Sequence, residues 1–258
     1  MNKNILIVVS CLLIGFCSKK NVEYKEDLTL YFDKAMKYFE KNKFLRAKDE
    51  FEYIIMTDPG SKIANESQYY KAESMYQMEE YEQASIAFDR FVRFSTDYKK
   101  IELARYRICE SAIGLSNAFQ KEQSQTHYAL DQLQMFIEDY PKSYLVADAE
   151  KSISELRIKL ALKDYETGRM YLKLEEYDAA LLYFKSVLNQ YYDTSISDDA
   201  RIGIIFTHIL NKNRSGAENY YKTQLNSFFN EQKKEEANLL INETSDGLKM
   251  THYYQLYK

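Results

Sequence analysis

The chain has 258 residues, 45% hydrophobic and 15% aromatic, and its 35 basic and 39 acidic side chains leave a net charge of −4. Its 7 glycines and 2 prolines supply too little turn chemistry for many short strands. The charges are well mixed, so the basic stripe that neutralises phosphates is missing, which argues against a nucleic-acid partner.

In chain order, Met1 to Phe16 reads as a secretory signal, with Lys3 as its positive end followed by an apolar stretch too short to span a membrane convincingly. The stretch ends at Cys17, with polar Ser18, Lys19 and Lys20 directly behind it, a placement that resembles the acylated cysteine of a bacterial lipoprotein. Phe16 stands where a small residue is usual, and Cys11, behind Val8, Val9 and Ser10, is the alternative site. Two or three acyl chains at ~0.8 kcal/mol per buried methylene would make a stable anchor, with residues 17–27 as its tether. If Cys17 is acylated and Cys11 removed, Cys109 is left alone on a helix expected to be buried, and no intrachain disulfide can form.

From residue 28 a phrase recurs: an aromatic, alanine three on, phenylalanine four further. It occurs as Phe44/Ala47/Phe51, Tyr81/Ala84/Phe88 and Tyr177/Ala180/Phe184. Ala47 and Ala84 are 37 apart, as are Ala180 and Ala217. Setting these alanines at position 20 of a tetratricopeptide unit starts copies at Leu28, Asn65, Ala161 and Asp198. Tyr31, Ala35, Tyr38, Phe51 and Pro59 of the first copy then fall on the other signature positions, as do Gly168 and Tyr171 of the copy at Ala161. An irregular copy lies between, with Ala129, Leu133 and Pro141. Its spacing predicts a long polar connection at 116–124 and a long helix from about Tyr144 to Lys173. The expected fold is all-α, a tetratricopeptide-repeat α-solenoid of about five helical hairpins over 28–225, followed by a helical tail at 226–258. That tail is expected to continue the last helix to about Ile241, turn at 242–247 and end in Tyr253, Tyr254 and Tyr257.

Catalytic chemistry is not apparent. His127, His208 and His252 lack ligand spacing, and there is neither a phosphate-cradling glycine loop nor a nucleophile motif, so no cofactor, metal site or enzymatic activity is expected. A repeat array points instead to a binding surface. In this class, helix A positions 2, 5, 9 and 12 line the concave face: Thr29, Phe32, Met36, Phe39, Glu66, Tyr69, Glu73 and Tyr76 in the first two copies. Phe32, Met36, Phe39, Tyr69 and Tyr76 would form an apolar groove for an extended or helical peptide, unless neighbouring helices or the N-terminal segment cover them.

A signal ending in a cysteine, a short tether and unevenly spaced repeats together resemble the BamD (YfiO) family of outer-membrane lipoproteins. Phe88-Asp89-Arg90-Phe91-Val92-Arg93, Tyr140-Pro141-Lys142-Ser143-Tyr144 and Tyr191-Tyr192-Asp193-Thr194 are similar to family phrases, and the likeness covers roughly residues 17–225. The resemblance implies a lipid-anchored protein on the periplasmic side of the outer membrane. It would bind a BamA-like β-barrel insertase and other assembly subunits through its C-terminal repeats, and unfolded outer-membrane protein clients through its N-terminal ones. It also implies partner docking at Tyr183 and Lys185, Tyr183 standing where the family tends to carry a basic contact. A periplasmic scaffold for cell-envelope or division machinery is the alternative.

Overall fold

The computed structural model describes residues 27–243. Cys11, Cys17, the signal, the tether up to residue 26 and the terminal tyrosines Tyr253, Tyr254 and Tyr257 lie outside the described residues. Among the described residues there are eleven α-helices and no strand. They are α1 Leu28–Glu40, α2 Phe44–Thr57, α3 Lys62–Gln77, α4 Tyr81–Phe94, α5 Tyr98–Leu115, α6 Ser124–Asp139, α7 Val146–Lys173, α8 Tyr177–Gln190, α9 Ile196–Leu210, α10 Arg214–Gln224 and α11 Glu231–Glu243. α1 to α10 pair as five antiparallel hairpins, each packed on the next, which is the expected tetratricopeptide-repeat solenoid.

Instead of one central core, four serial clusters of buried side chains run along the stack, centred on α1–α3, α3–α5, α5–α7 and α7–α11. The signature residues are what close each hairpin. Ala35, Ala47, Ala72, Ala84, Ala129 and Ala180 are fully buried, because only a methyl fits where two helix backbones approach. Phe51, Phe88 and Phe184 are also fully buried, filling the space between successive hairpins. At the fourth hairpin the approach is tighter still. A Cβ added to Gly168 or to Gly203 would lie 2.8 Å from the Phe184 ring, which is clamped between α7 and α9.

Four of the five hairpin turns share one backbone solution. Asn42, Glu79, Glu175 and Lys212 take left-handed φ values of 55–62°. The next amide in each turn donates to the carbonyl five residues back, as in Lys43 N to Tyr38 O at 2.9 Å and Glu176 N to Tyr171 O at 3.0 Å. This is a Schellman closure made without glycine, and it accounts for how a helical array manages with so few glycines. The third hairpin departs from the pattern, as its spacing predicts. Its connection is tied down by α7: Lys159 Nζ donates to Ser116 Oγ at 2.8 Å and Lys163 Nζ to the Lys121 carbonyl at 2.6 Å. Pro59 and Pro141 follow the ends of α2 and α6, where a proline bars further helix.

The C-terminal part differs from expectation. α10 stops at Gln224, and a separate α11 begins at Glu231 instead of one helix running to Ile241. No proline or glycine causes the break; a tertiary acceptor does. The buried Asp198 carboxylate takes hydrogen bonds from the amides of Phe229 (3.0 Å) and Asn230 (2.8 Å), and the Asn230 side chain accepts from Gln232 N at 2.8 Å to start α11. α11 then buries Ala237, Leu240 and Ile241 against the last hairpin.

Candidate peptide-binding groove

The first helices of successive hairpins bring two adjoining depressions to one face. The first, about 610 Å³, opens beside α1, α3 and α5, with Met36, Phe39, Phe44, Tyr70 and Leu103 as its apolar wall. The second, about 530 Å³, lies beside α3, α5 and the start of α7, with Tyr106, Tyr144, Leu145 and Asp148 in its wall. Tyr69, Leu103 and Arg107 border both, so the two form one groove.

The expected lining is only partly there. Met36 and Phe39 line the first depression, half-buried, with the Phe39 ring edge-on to Phe44 at 5.4 Å and Tyr70 at 5.6 Å. Tyr69 reaches both depressions but is 9% exposed, because Phe91 at 5.4 Å and Phe88 at 5.8 Å hold it in the core between α3 and α4. Phe32 is turned into the core against Phe51 and Tyr70 at 5.6 and 6.0 Å. Tyr76 is edge-on to Tyr81 and roofed by the Arg107 guanidinium 4.6 Å from its ring centre. Neither borders these two depressions. Three of the five, Met36, Phe39 and Tyr69, thus border the groove, Phe32 and Tyr76 pack against neighbouring rings, and Tyr70, one position after Tyr69, adds a half-buried ring to the first depression.

Polar residues that sequence patterning passes over as solvated faces organise the floor. Arg107 grips Glu73 through Nε and a second guanidinium nitrogen at 2.9 and 2.8 Å, and gives its remaining nitrogen to Glu110 at 2.7 Å. Burial opposes the charge on Arg107, but Glu73 and Glu110 outweigh it and hold the guanidinium's pKa above its ordinary value. Lys100 pairs with Glu66 and stands 5.1 and 5.5 Å above the rings of Tyr70 and Tyr69; burial lowers its pKa. Burial first, then the Glu73 charge, pushes the Tyr69 phenol up to about 12. Burial again, followed by Glu110 and Asp148, does the same to Tyr106.

Arg107→Met should destabilise the protein by about 2–4 kcal/mol, because it leaves the Glu73 carboxylate, 8% exposed, without its cation. The lower part of the range for a broken buried pair applies, since the Arg107 side chain is itself 30% exposed. Adding Glu73→Leu should restore most of the loss in a urea titration. An equal loss in the double variant would show that packing by Arg107, and not charge, is what matters.

At the other end, Tyr183 is half-buried and stacks on Tyr171 at 5.4 Å and 14°, while Lys185 is exposed on the same helix. The His208 pKa is lowered by burial and secondarily by the positive charge of Lys185. Among the described residues no cluster of His, Cys, Asp or Glu is arranged to hold a metal, and no helix is long and apolar enough to cross a membrane. Cys109 is buried and thiol-protonated, its pKa pushed up to about 12 chiefly by burial.

The chain is similar to proteins of known role. The outer membrane protein assembly factor BamD of Rickettsia prowazekii is 24% identical over 206 residues, covering 80% of this chain and 82% of that protein. BamD of Buchnera aphidicola is 26% identical over 197 residues, covering 72% and 79%. The solved tetratricopeptide-repeat protein YrrB aligns with 84% of this chain and 94% of its own at 19% identity and a TM-score of 0.34. The model of the YfiO family, described as outer membrane lipoprotein, matches residues 25–225, from just before α1 to just after α10. Five hairpins, a stretched third connection and that match over most of the chain agree: the protein belongs to the YfiO outer membrane lipoprotein family.

Proposed function

We propose that the chain is a non-enzymatic scaffold in the assembly of outer-membrane proteins. In this reading residues 1–16 are a signal, Cys17 carries the lipid, 17–27 form the tether, 28–225 the repeats and 226–258 the helical tail, and the protein faces the periplasm. The N-terminal hairpins receive unfolded outer-membrane protein segments, and the C-terminal hairpins dock a BamA-type insertase around Tyr183 and Lys185. The observation that carries the reading is the groove across α1, α3, α5 and α7, whose accessible aromatics suit an extended chain, in a protein whose relatives are named assembly factors. Neither a reaction nor a cofactor is assigned.

Met36→Ala with Phe39→Ala should weaken binding of an unfolded barrel-protein segment about 10–100-fold, since two central apolar anchors are lost. Both side chains are half-buried, border the groove and pack on the first cluster, so some thermal stability should be lost, and circular dichroism checks that the variant is folded before its affinity is read. Unchanged affinity would sink the groove assignment. Depletion of the protein in cells should lower β-barrel protein levels; septation or wall defects with normal barrel levels would favour the cell-envelope alternative.

A further inference from the structure

The two halves of the groove differ in charge, and the difference specifies what each would accept. In the first half the cations are already engaged, Lys100 by Glu66 and Arg107 by Glu73 and Glu110, and the accessible wall is Met36, Phe39, Phe44 and Tyr70. That wall suits one large apolar side chain. The second half has spare negative charge. Glu110 shares Arg107 with Glu73, Lys151 is 3.9 Å from Glu155, and Asp148 has no ion-pair partner among the described residues. Tyr144, 75% exposed, and Tyr106 add two rings beside these carboxylates.

We infer that this groove reads a two-residue pattern in its extended client: a large apolar residue seated between α1 and α3, and a lysine or arginine seated against Tyr106, Tyr144 and Asp148. Aromatic faces and an unpaired carboxylate together favour a cation and penalise an anion, because both fields have the same sign at the site. The two seats, between α1 and α3 and between α5 and α7, are about two helix spacings apart, roughly 16–20 Å. An extended chain crosses that distance in about five to six residues at ~3.3 Å each. The inference rests on the groove reading proposed above and adds to it a preference that apolar burial alone would not produce.

The test measures binding of short fluorescein-labelled peptides to the full mature protein in detergent. Each is built on a serine/threonine background, with phenylalanine and lysine separated by about four to seven positions, bracketing the expected five to six. In the best-spaced peptide, exchange of lysine for glutamate should weaken binding about tenfold, the equivalent of ~1.4 kcal/mol. Asp148→Lys should shrink or reverse that preference; Asp148 is exposed at the start of α7, so folding should persist, and circular dichroism checks it. Equal binding of the lysine and glutamate peptides, with Met36→Ala/Phe39→Ala still weakening both, would overturn the charge reading and leave the groove intact. Binding that ignores Met36→Ala/Phe39→Ala would overturn the groove and this inference together.

Discussion

Asp198→Ala is expected to cost about 3–5 kcal/mol and to free α11, the largest effect of a polar substitution in this fold. The Asp198 and Arg201 side chains are 5% and 7% exposed and meet at 2.8 Å. The same carboxylate accepts the Phe229 and Asn230 amides, and the rings of Phe228 and Phe229 lie 5.8 and 5.7 Å from the Arg201 guanidinium. Its removal strands a buried cation and two backbone donors at once. The molecule can limit the cost by releasing α11, because local opening is available at a chain end. Amide exchange should therefore speed up about 100-fold across α11 while α1 to α4 keep their protection. Asp198→Asn, which keeps an acceptor, should fall between the two. Unchanged protection of α11 would mean that Ala237, Leu240 and Ile241 alone dock it.

Phe184→Ala should cost about 3–5 kcal/mol, the range for emptying a buried phenylalanine site. The ring is fully buried, 5.6 Å from Tyr165, and pressed by Gly168 and Gly203 on both sides. Because each hairpin contacts only its neighbours, the loss should stay in the cluster from α7 to α11. Urea unfolding should split into two steps, with the cluster around Phe51 keeping its midpoint. A sign change tests the clamp itself. In the native background Gly168→Ala and Gly203→Ala drive a methyl into the ring and should destabilise. In the Phe184→Ala background each should stabilise, by up to about 1 kcal/mol of helix propensity. A single transition, or the same sign in both backgrounds, would refute the clamp.

Much of the solenoid can be read in the chain because its packing is local and periodic. The alanines and phenylalanines that set the register are the residues buried to zero, and the long helix expected from about Tyr144 to Lys173 runs from Val146 to Lys173. The groove was less legible. Repeat position says which way a side chain leaves its helix, not what the neighbouring helix lays against it: Phe32 and Tyr76 pack against neighbouring side chains, and Tyr69 borders the groove while almost wholly buried. Tyr70 gave no sign at all. The floor cations did leave a trace: Lys100–Glu66 and Arg107–Glu73 each join residues 34 apart, about one helical turn short of the 37-residue spacing of the regular copies, so opposite charges at that separation could have marked them. The end of α10 had no local signal, since the acceptor that breaks the helix, Asp198, lies 31 residues from Phe229.

α7 has a mechanical consequence. Its 28 residues make a rod of about 42 Å that packs on the third hairpin through Ala149 and Leu156 and further along forms the fourth hairpin with α8. Its first turn carries Leu145 and Asp148 at the groove, while Gly168 and Leu172 near its end are gripped by the cluster around Phe184. A stack of separate hairpins can flex at every loop that joins one to the next. Here a short connection leads from α6 into α7, but one unbroken helix then bridges the clusters of the third and fourth hairpins, so bending between those clusters must bend α7 itself. A torque applied at α8 to α11 is thus carried, as through a crankshaft, to the walls of the groove at the opposite end.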